Sequence, residues 1–392
     1  MYNIIEKSIF ITKKVNMSFI TPEKQLRRRI LFFVLVVAFI GLLMVYEASS
    51  FYGYRNFHDA LYFFKRQLIS FFIGLIMFFC MLVLDLRILR KYAKQMLIFT
   101  ILLMGIVLIA GKTAGGAKRW VNILFFSGQP SELLKLSFLF YCVDYLYRKK
   151  GLIGDFSKGV LPIGIVSGLI CLLALLQSDL GTAVFWAVWL LLMLFLTGAS
   201  KKVLGSICAL GMVFVIILVL LFPYRVKRIT AYINPFSDPH GAGYQLIQSQ
   251  IAYAQGGFWG VGLGEGKQKL FFLPAAHTDF IFSIYAEEFG FLGVVVLMTI
   301  FCCLFYWMFI TAGNIRNYFL KLLCLGIIFI FFLEIIVNIG VSGGLFPTKG
   351  LPLPFMSYGG SSLVIHFILI AVFINASMSG EKQVEYDEKE KS

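Results

Sequence analysis

Charge is what this sequence has least of. Asp, Glu, Lys and Arg together make up 14% of its 392 residues, too few to cover a soluble protein of that length. Histidine is scarcer still: four residues, scattered along the chain, so no zinc or haem site is expected. The seven cysteines (Cys80, Cys142, Cys171, Cys208, Cys302, Cys303 and Cys324) fall inside apolar runs, without zinc-site or thioredoxin-like spacing. They read as small packing residues. Residues 1–29 lack a small-residue cleavage site before the first long apolar run, which argues against a cleaved signal peptide. No stretch is polar and long enough to form a soluble catalytic domain.

What the chain has in place of charge is hydrocarbon. Hydrophobic residues make up 59% of it, and the mean hydropathy is +0.86. Apolar runs of about 20 residues each match the hydrocarbon core of a bilayer. The expected fold is an all-α polytopic membrane protein with about ten transmembrane helices, near 30–50, 63–84, 95–111, 131–147, 160–176, 180–197, 203–222, 279–311, 319–341 and 359–378. The eighth is overlong and is expected to tilt or project. About 22 of the 35 Lys and Arg fall in the two tails, "KQLRRR" among them, and in alternate connections such as "DLRILRKYAKQ", "YRKKGLIGDFSK" and "NIRNYFLK". The positive-inside rule then puts both termini in the cytoplasm. The expected organisation is a cytoplasmic tail (1–29), a transmembrane domain (30–378) with one long extracytoplasmic loop (223–278) between helices seven and eight, and a disordered cytoplasmic tail (379–392). Positive-inside bias and attraction to anionic membrane lipids account for the net charge of +15 without a nucleic-acid partner.

With this topology the out-of-place polar residues gather on the outer face. Ionisable groups at membrane depth are costly, so each is a functional candidate. "FFLPAAHTDFIF" sets Asp279 at the mouth of helix eight, with Thr278 as candidate N-cap. Asp279 has two readings: an acid that favours the positive end of the helix dipole, or a base or cation ligand kept ionised by that dipole. At helical spacing Asp279, Ser283 and Glu287 share one stripe, with Glu288 beside it. "QPSELLK" places Glu132 and Lys135 three apart on one face, either as a local ion pair or as a phosphate contact. Asp179 in "QSDLG" carries the same cap ambiguity as Asp279, and Trp120 also suits an interfacial belt. Arg119 and Lys118 add positive charge. "GLGEG" and "YGGSS" suit turns or phosphate nests. Nucleoside triphosphates are absent from that face, so a synthetic reaction there needs a substrate that brings its own activation, such as a lipid-linked pyrophosphate.

Taken together, "GGAKRWVN", "QPSELLKLS", "QSDLGTA", "GVGLGEGKQKLFFLPAAHTDFIFSIYAEEFGFLG" and "GLFPTKGLPLPFMSYGGSSL" resemble, in sequence and in order, the SEDS family (shape, elongation, division and sporulation). The resemblance runs through all ten expected helices and is greatest to the division branch, then to the sidewall-elongation branch. It implies a peptidoglycan glycosyltransferase of the bacterial cytoplasmic membrane, enriched at the division septum. Its substrate would be lipid II, the undecaprenyl-pyrophosphoryl disaccharide-pentapeptide. Its partners would be a class B penicillin-binding protein and other divisome proteins, and a divalent cation (Mg²⁺ or Mn²⁺) its cofactor. Asp279 matches the essential aspartate and is a possible metal ligand; Arg119, Trp120, Glu132, Lys135, Asp179 and Glu287 are the candidate substrate-binding residues. Two positions depart from the family pattern, with Ser178 where proline is usual and Ala275 where glutamate is common. A lipid II flippase, with Glu287, Glu288 and Glu334 along its path, is the rival of a different class. A non-catalytic scaffold is the third reading.

Overall fold

The computed structural model describes residues 23–389 apart from 115–116, 124–125, 242 and 275. The chain is a helical bundle whose elements fall where hydropathy places them. In order they are α1 (Glu23–Phe57), α2 (Tyr62–Val83), the short α3 (Leu86–Lys91), α4 (Ala93–Ala110), α5 (Pro130–Arg148), α6 (Leu161–Leu176), α7 (Leu180–Leu196), α8 (Lys201–Leu220), α9 (Pro223–Ile233), α10 (Tyr244–Gly256), α11 (Ile281–Asn314), α12 (Tyr318–Ser342) and α13 (Gly360–Lys389). Every expected span coincides with one of these helices. Seven of the spans are long and apolar enough to cross a membrane, and α4 and α7 are shorter apolar helices. The tenth is α5, whose Glu132, Lys135, Asp144 and Arg148 lower its hydropathy.

One feature adds to the helical expectation. Between α4 and α5 the chain forms a small antiparallel sheet of β1 (Lys112–Ala114), β2 (Ala117–Ile123) and β3 (Phe126–Gly128), in the order β1-β2-β3. Lys112 pairs with Trp120 and Val121 with Gly128. The segment 223–278 is also more ordered than a loop, because it contains α9, α10 and a helical turn at Gln268–Phe272.

Helices α12 and α13 form the centre, with 61% and 83% of their apolar windows buried, whereas α8 has 11% buried and stands at the edge. Small residues permit the closest approaches. A Cβ on Gly74 would lie 2.5 Å from the Phe367 ring, so α2 packs directly against α13. Polar side chains finish helix ends that would otherwise strand carbonyls. Asn375 on α13 donates to Met81 O and Leu84 O at the end of α2. Gln177 donates to Met104 O within α4 and so ties the turn before α7 to that helix. The cysteines divide: Cys142 and Cys324 are buried as packing residues, but Cys80, Cys208 and Cys302 lie exposed on helix faces.

The overlong eighth span is two helices joined across a kink. Gly290 (φ +64) breaks α11, leaving Ile281–Phe289 as a short helix before the long one. The break frees backbone groups, and the connection after α10 supplies their partners. Val261 and Gly262 donate to Glu287 O and Glu288 O, while Phe291 and Leu292 donate to Gly257 O and Phe258 O. The approach is close enough that a Cβ on Gly290 would sit 2.2 Å from Gly260 N, and one on Gly260 (φ +84) 2.1 Å from Glu288 O. Both glycines are required by geometry as well as by φ.

Gly290→Ala is therefore expected to destabilise the protein by more than about 2 kcal/mol, since backbone must move to admit the methyl. Gly313→Ala, in open space on the same helix, should be neutral or gain up to about 1 kcal/mol. Thermal unfolding of the two variants in one detergent checks the contrast; equal melting temperatures would refute it.

Candidate functional site

The connection between α12 and α13, residues 343–359, runs as a strap across one end of the bundle, and most of the candidate residues meet it. Its near end is fastened by α9, where Tyr232 Oη donates to Leu345 O and Arg228 to Thr348 O. Lys349 then reaches Asp179, with Nζ to Oδ1 at 2.6 Å. Asp179 also caps α7, accepting from Thr182 N at 3.1 Å. The cap reading of Asp179 thus holds, with a cation added to it. The Lys349 stem lies across Gly181, where a Cβ would be 1.8 Å from Lys349 Cδ. That contact explains the glycine after the Asp-Leu pair.

Asp279 stands against the next residue of the strap. A Cβ on Gly350 would fall 2.6 Å from Asp279 Oδ2, so only glycine leaves the carboxylate in place. The backbone carrying Asp279 is fixed at three successive carbonyls. Tyr358 N donates to His277 O at 2.9 Å, Ser357 Oγ to Thr278 O at 2.6 Å and Asn338 Nδ2 to Asp279 O at 3.0 Å. Asn338, fully buried on α12, also donates to Leu351 O at 2.7 Å. One amide group therefore ties the Asp279 backbone to the strap. Asp279 itself is half-buried and precedes the helix: Phe280, not Thr278, occupies the N-cap position, and it makes no side-chain cap. The sequence pattern misplaced this start because Thr-Asp is a strong cap signal, whereas here both residues belong to the turn held by the strap.

Behind Gly350, Leu351 and Pro352 is a cavity of about 30 Å³, enough for water, lined also by Glu132, Lys135 and Glu334. The expected Glu132–Lys135 pair forms, at 2.6 Å. Lys135 is also 2.5 Å from Glu334 of α12, and His366 Nε2 of α13 is 2.9 Å from Glu334 Oε2. With Lys135 at 4% and Glu334 at 0% exposure, the cluster joins α5, α12 and α13 inside the bundle. Such buried charges are tolerable only because each has a partner, and removing one partner would strand the others.

The remaining candidates lie apart. Glu287 accepts from Lys267 N (2.7 Å) and Gln268 N (3.2 Å), and so anchors the turn before Asp279 without meeting its carboxylate. Glu288 pairs with Lys269 at 2.7 Å, and Lys269 with Glu47 of α1 at 2.8 Å. Desolvation pulls the Lys269 pKa down, but its two carboxylates more than offset this and hold it above the ordinary lysine value. The third member of the stripe, Ser283, is buried and within 2.6 Å of Ser249 on α10. The stripe therefore binds α11 to its neighbours. The three carboxylates suited to a translocation path, Glu287 and Glu288 on α11 and Glu334 on α12, are all buried and bonded. Arg119 and Trp120 lie on β2, and their side chains are outside the described residues, as is Ala275.

Ser178 takes φ +58 in the turn before Asp179 and donates its N–H to Leu175 O. Proline can do neither. The departure from the family pattern thus matches the turn this chain adopts. Sequence reasoning missed Asn338, Lys349, Gly350 and Lys269. Asn338 had a signal, as an amide isolated in the apolar run "EIIVNIGVS"; the others owe their roles to partners far along the chain.

Among the described residues no group of three His, Cys, Asp or Glu is placed to hold a metal ion. A half-buried single carboxylate, Asp279, fits the kind of Mg²⁺ site in which one protein carboxylate shares the ion with substrate phosphates and waters.

His277 packs among Phe63, Tyr52 and Tyr358, with ring centroids 4.7–5.7 Å away, and burial pushes its pKa down to about 4 from 6.5. Between those values the unfolded chain binds the proton and the folded one does not. Stability is therefore expected to be complete above pH 6.5 and to fall toward pH 4. His277→Phe should flatten that part of the melting-temperature profile; an unchanged profile would rule out His277 as its source.

Three comparisons bear on this arrangement. The profile of the FtsW, RodA and SpoVE family, described as "Cell cycle protein", matches residues 27–382. A probable peptidoglycan glycosyltransferase FtsW of Trichlorobacter lovleyi is 41% identical over 350 residues, covering 89% of this chain and 92% of that protein. The stage V sporulation protein E of Bacillus subtilis is 37% identical over 346 residues, covering 88% and 94%. A solved peptidoglycan synthase complex, described in terms of structural coordination of polymerization and crosslinking, contains a chain similar to this one. Its TM-score is 0.73 at 25% identity, with 90% of this chain and 97% of that chain covered.

Proposed function

We propose that this chain, which belongs to the FtsW, RodA and SpoVE family of cell cycle proteins, is a peptidoglycan glycosyltransferase of the division type. The relatives named FtsW support that activity. The single structural observation that carries it is Asp279, half-buried and held by its backbone at the strap. The substrate is lipid II and the partner a class B penicillin-binding protein. The strap end of the bundle faces outward, with both termini in the cytoplasm, and the protein works in the cytoplasmic membrane at the septum.

In this reading Asp279 takes the proton from the 4-hydroxyl of the acceptor sugar as that oxygen attacks the anomeric carbon of the donor. The carbon–oxygen bond to undecaprenyl pyrophosphate breaks, and the pyrophosphate leaves with the electron pair. One carboxylate is sufficient. A glycosidase needs an acid to protonate an alkoxide, whereas pyrophosphate departs as a stabilised anion. Positive charge beside that anion lowers the barrier, and Arg119 is the candidate on β2. Lys135 acts from behind the strap, where its ion pairs with Glu132 and Glu334 fix the wall on which Gly350 sits. Lys349 holds the same wall from the Asp179 side. A bound Mg²⁺ or Mn²⁺, held by Asp279, would supply further charge neutralisation at the phosphates.

Glycan-chain formation from purified lipid II with Mg²⁺ or Mn²⁺ tests the reading, using the chain co-purified with its penicillin-binding protein. Asp279→Asn should lose about 10²–10⁴-fold in rate with its melting temperature retained. An Asn variant as active as wild type would remove Asp279 from the chemistry, and lipid II translocation without polymer would favour the flippase. Gly350→Ala should push the carboxylate aside and cost on the order of 10-fold or more in kcat, with less change in KM. Asn338→Ala should cost both kcat and about 1–3 kcal/mol of stability, because a buried and a half-buried carbonyl lose their donor. A full-rate, less stable Asn338 variant would make Asn338 a packing residue only.

A further inference from the structure

At the end of the bundle opposite the strap, a second cavity of about 710 Å³ opens between the α2–α4 connection and the last turn of α5. Five cations line it, Arg87, Arg90, Lys91, Lys94 and Arg148, against one acid, Asp144. The balance of that lining is therefore +4. We propose that this cavity is a binding site for the headgroup phosphate of an anionic phospholipid.

The arrangement goes beyond the scattered positive charge that orients membrane proteins. Asp144 accepts from Arg90 Nε at 2.7 Å and forms an ion pair with Arg148, its Oδ2 lying 2.8 Å from Nε. Both guanidinium groups are thus held from one side, and their remaining N–H groups are left for another acceptor. Arg90 is fixed further by two rings, lying 4.4 Å from the Phe319 centroid and 4.6 Å from that of Tyr147. Arg87, Lys91 and Lys94 are exposed around this pair. One ring-clamped fork, Arg90, with the more exposed Arg148 and three further cations around it matches the two non-bridging oxygens of a phosphodiester.

The surroundings select a lipid as the source of that phosphate. Lys94 opens α4, and along the same helix Ile98, Phe99, Leu102 and Ile106 are exposed by 47–59%. An acyl chain can lie on that face while its headgroup fills the cavity, at the level where α2 ends and α4 begins. A free phosphate or nucleotide would leave the apolar face unused. The proposal rests on the chain lying in a membrane and is independent of the reaction assigned to the strap end.

The test is native mass spectrometry of the full-length protein in detergent, titrated separately with phosphatidylglycerol, phosphatidylcholine and inorganic phosphate. Saturable retention of phosphatidylglycerol, with little of phosphatidylcholine, is expected. Arg87→Ala/Lys91→Ala/Lys94→Ala should weaken that retention more than 10-fold, since each cation near a membrane surface contributes about a factor of five. Arg87→Lys/Lys91→Arg/Lys94→Arg should restore it. Lys201→Ala/Lys202→Ala removes two exposed cations at the start of α8 and should change it less than two-fold. Equal losses in the two alanine variants would mean bulk attraction and overturn the site. So would phosphate displacing the lipid at equal concentration, which would make it a soluble-anion site. If the triple alanine variant fails to fold, Lys91→Glu alone reads the same loss.

Discussion

Backbone that leaves the helix inside a membrane protein must find a partner for every N–H and C=O it frees, because lipid offers none. Two such places organise this molecule. At Gly290 the helix breaks and the 257–262 connection completes its hydrogen bonds. At 277–279 the chain runs outside any helix, and Tyr358, Ser357 and Asn338 take its three carbonyls. The short helix Ile281–Phe289 spans the interval between them. Asp279 is therefore positioned from both sides by backbone satisfaction, before any side-chain contact is considered. That is a stronger constraint than a cap, since misplacing it would leave buried polar groups unmet at about 1–3 kcal/mol each.

Charge follows the same rule one level up. Lys135 with Glu132 and Glu334, Lys269 with Glu288 and Glu47, and Lys349 with Asp179 each tie elements distant in sequence. Replacing such pairs with apolar residues can be neutral for stability, so holding geometry is their clearer contribution. The Lys135 cluster backs the strap from the core and the Lys349 pair fixes its edge. Gly350, between them, can then meet the Asp279 carboxylate without a side chain of its own.

The ten spans were legible because about 20 apolar residues have few other uses, and α5 was legible despite its charges through the Pro130 start and its spacing. The Glu132–Lys135 contact was also visible, being local. Its further partners Glu334 and His366 were not, because nothing in a linear pattern says which faces of α12 and α13 meet α5. Glu287 shows the limit most clearly. Its spacing from Ser283 correctly put both on one face, but the face turned inward to α10 and the 267–268 backbone. The helix start slipped because Thr278 and Asp279 satisfy a local rule that the strap overrides. The break at Gly290 had only a single glycine to announce it, and glycine alone does not tell a kink from a close contact.

The crossing of Gly260 and Gly290 also has a consequence for how this sequence can change over time. A methyl on either glycine would run into the backbone of the facing segment, so no side-chain substitution at one position can make room at the other. A lineage carrying this crossing can drift freely on the outward face of α8, but it can leave the crossing only by rebuilding the 257–262 connection and the start of α11 together. The two positions should be inherited as one character.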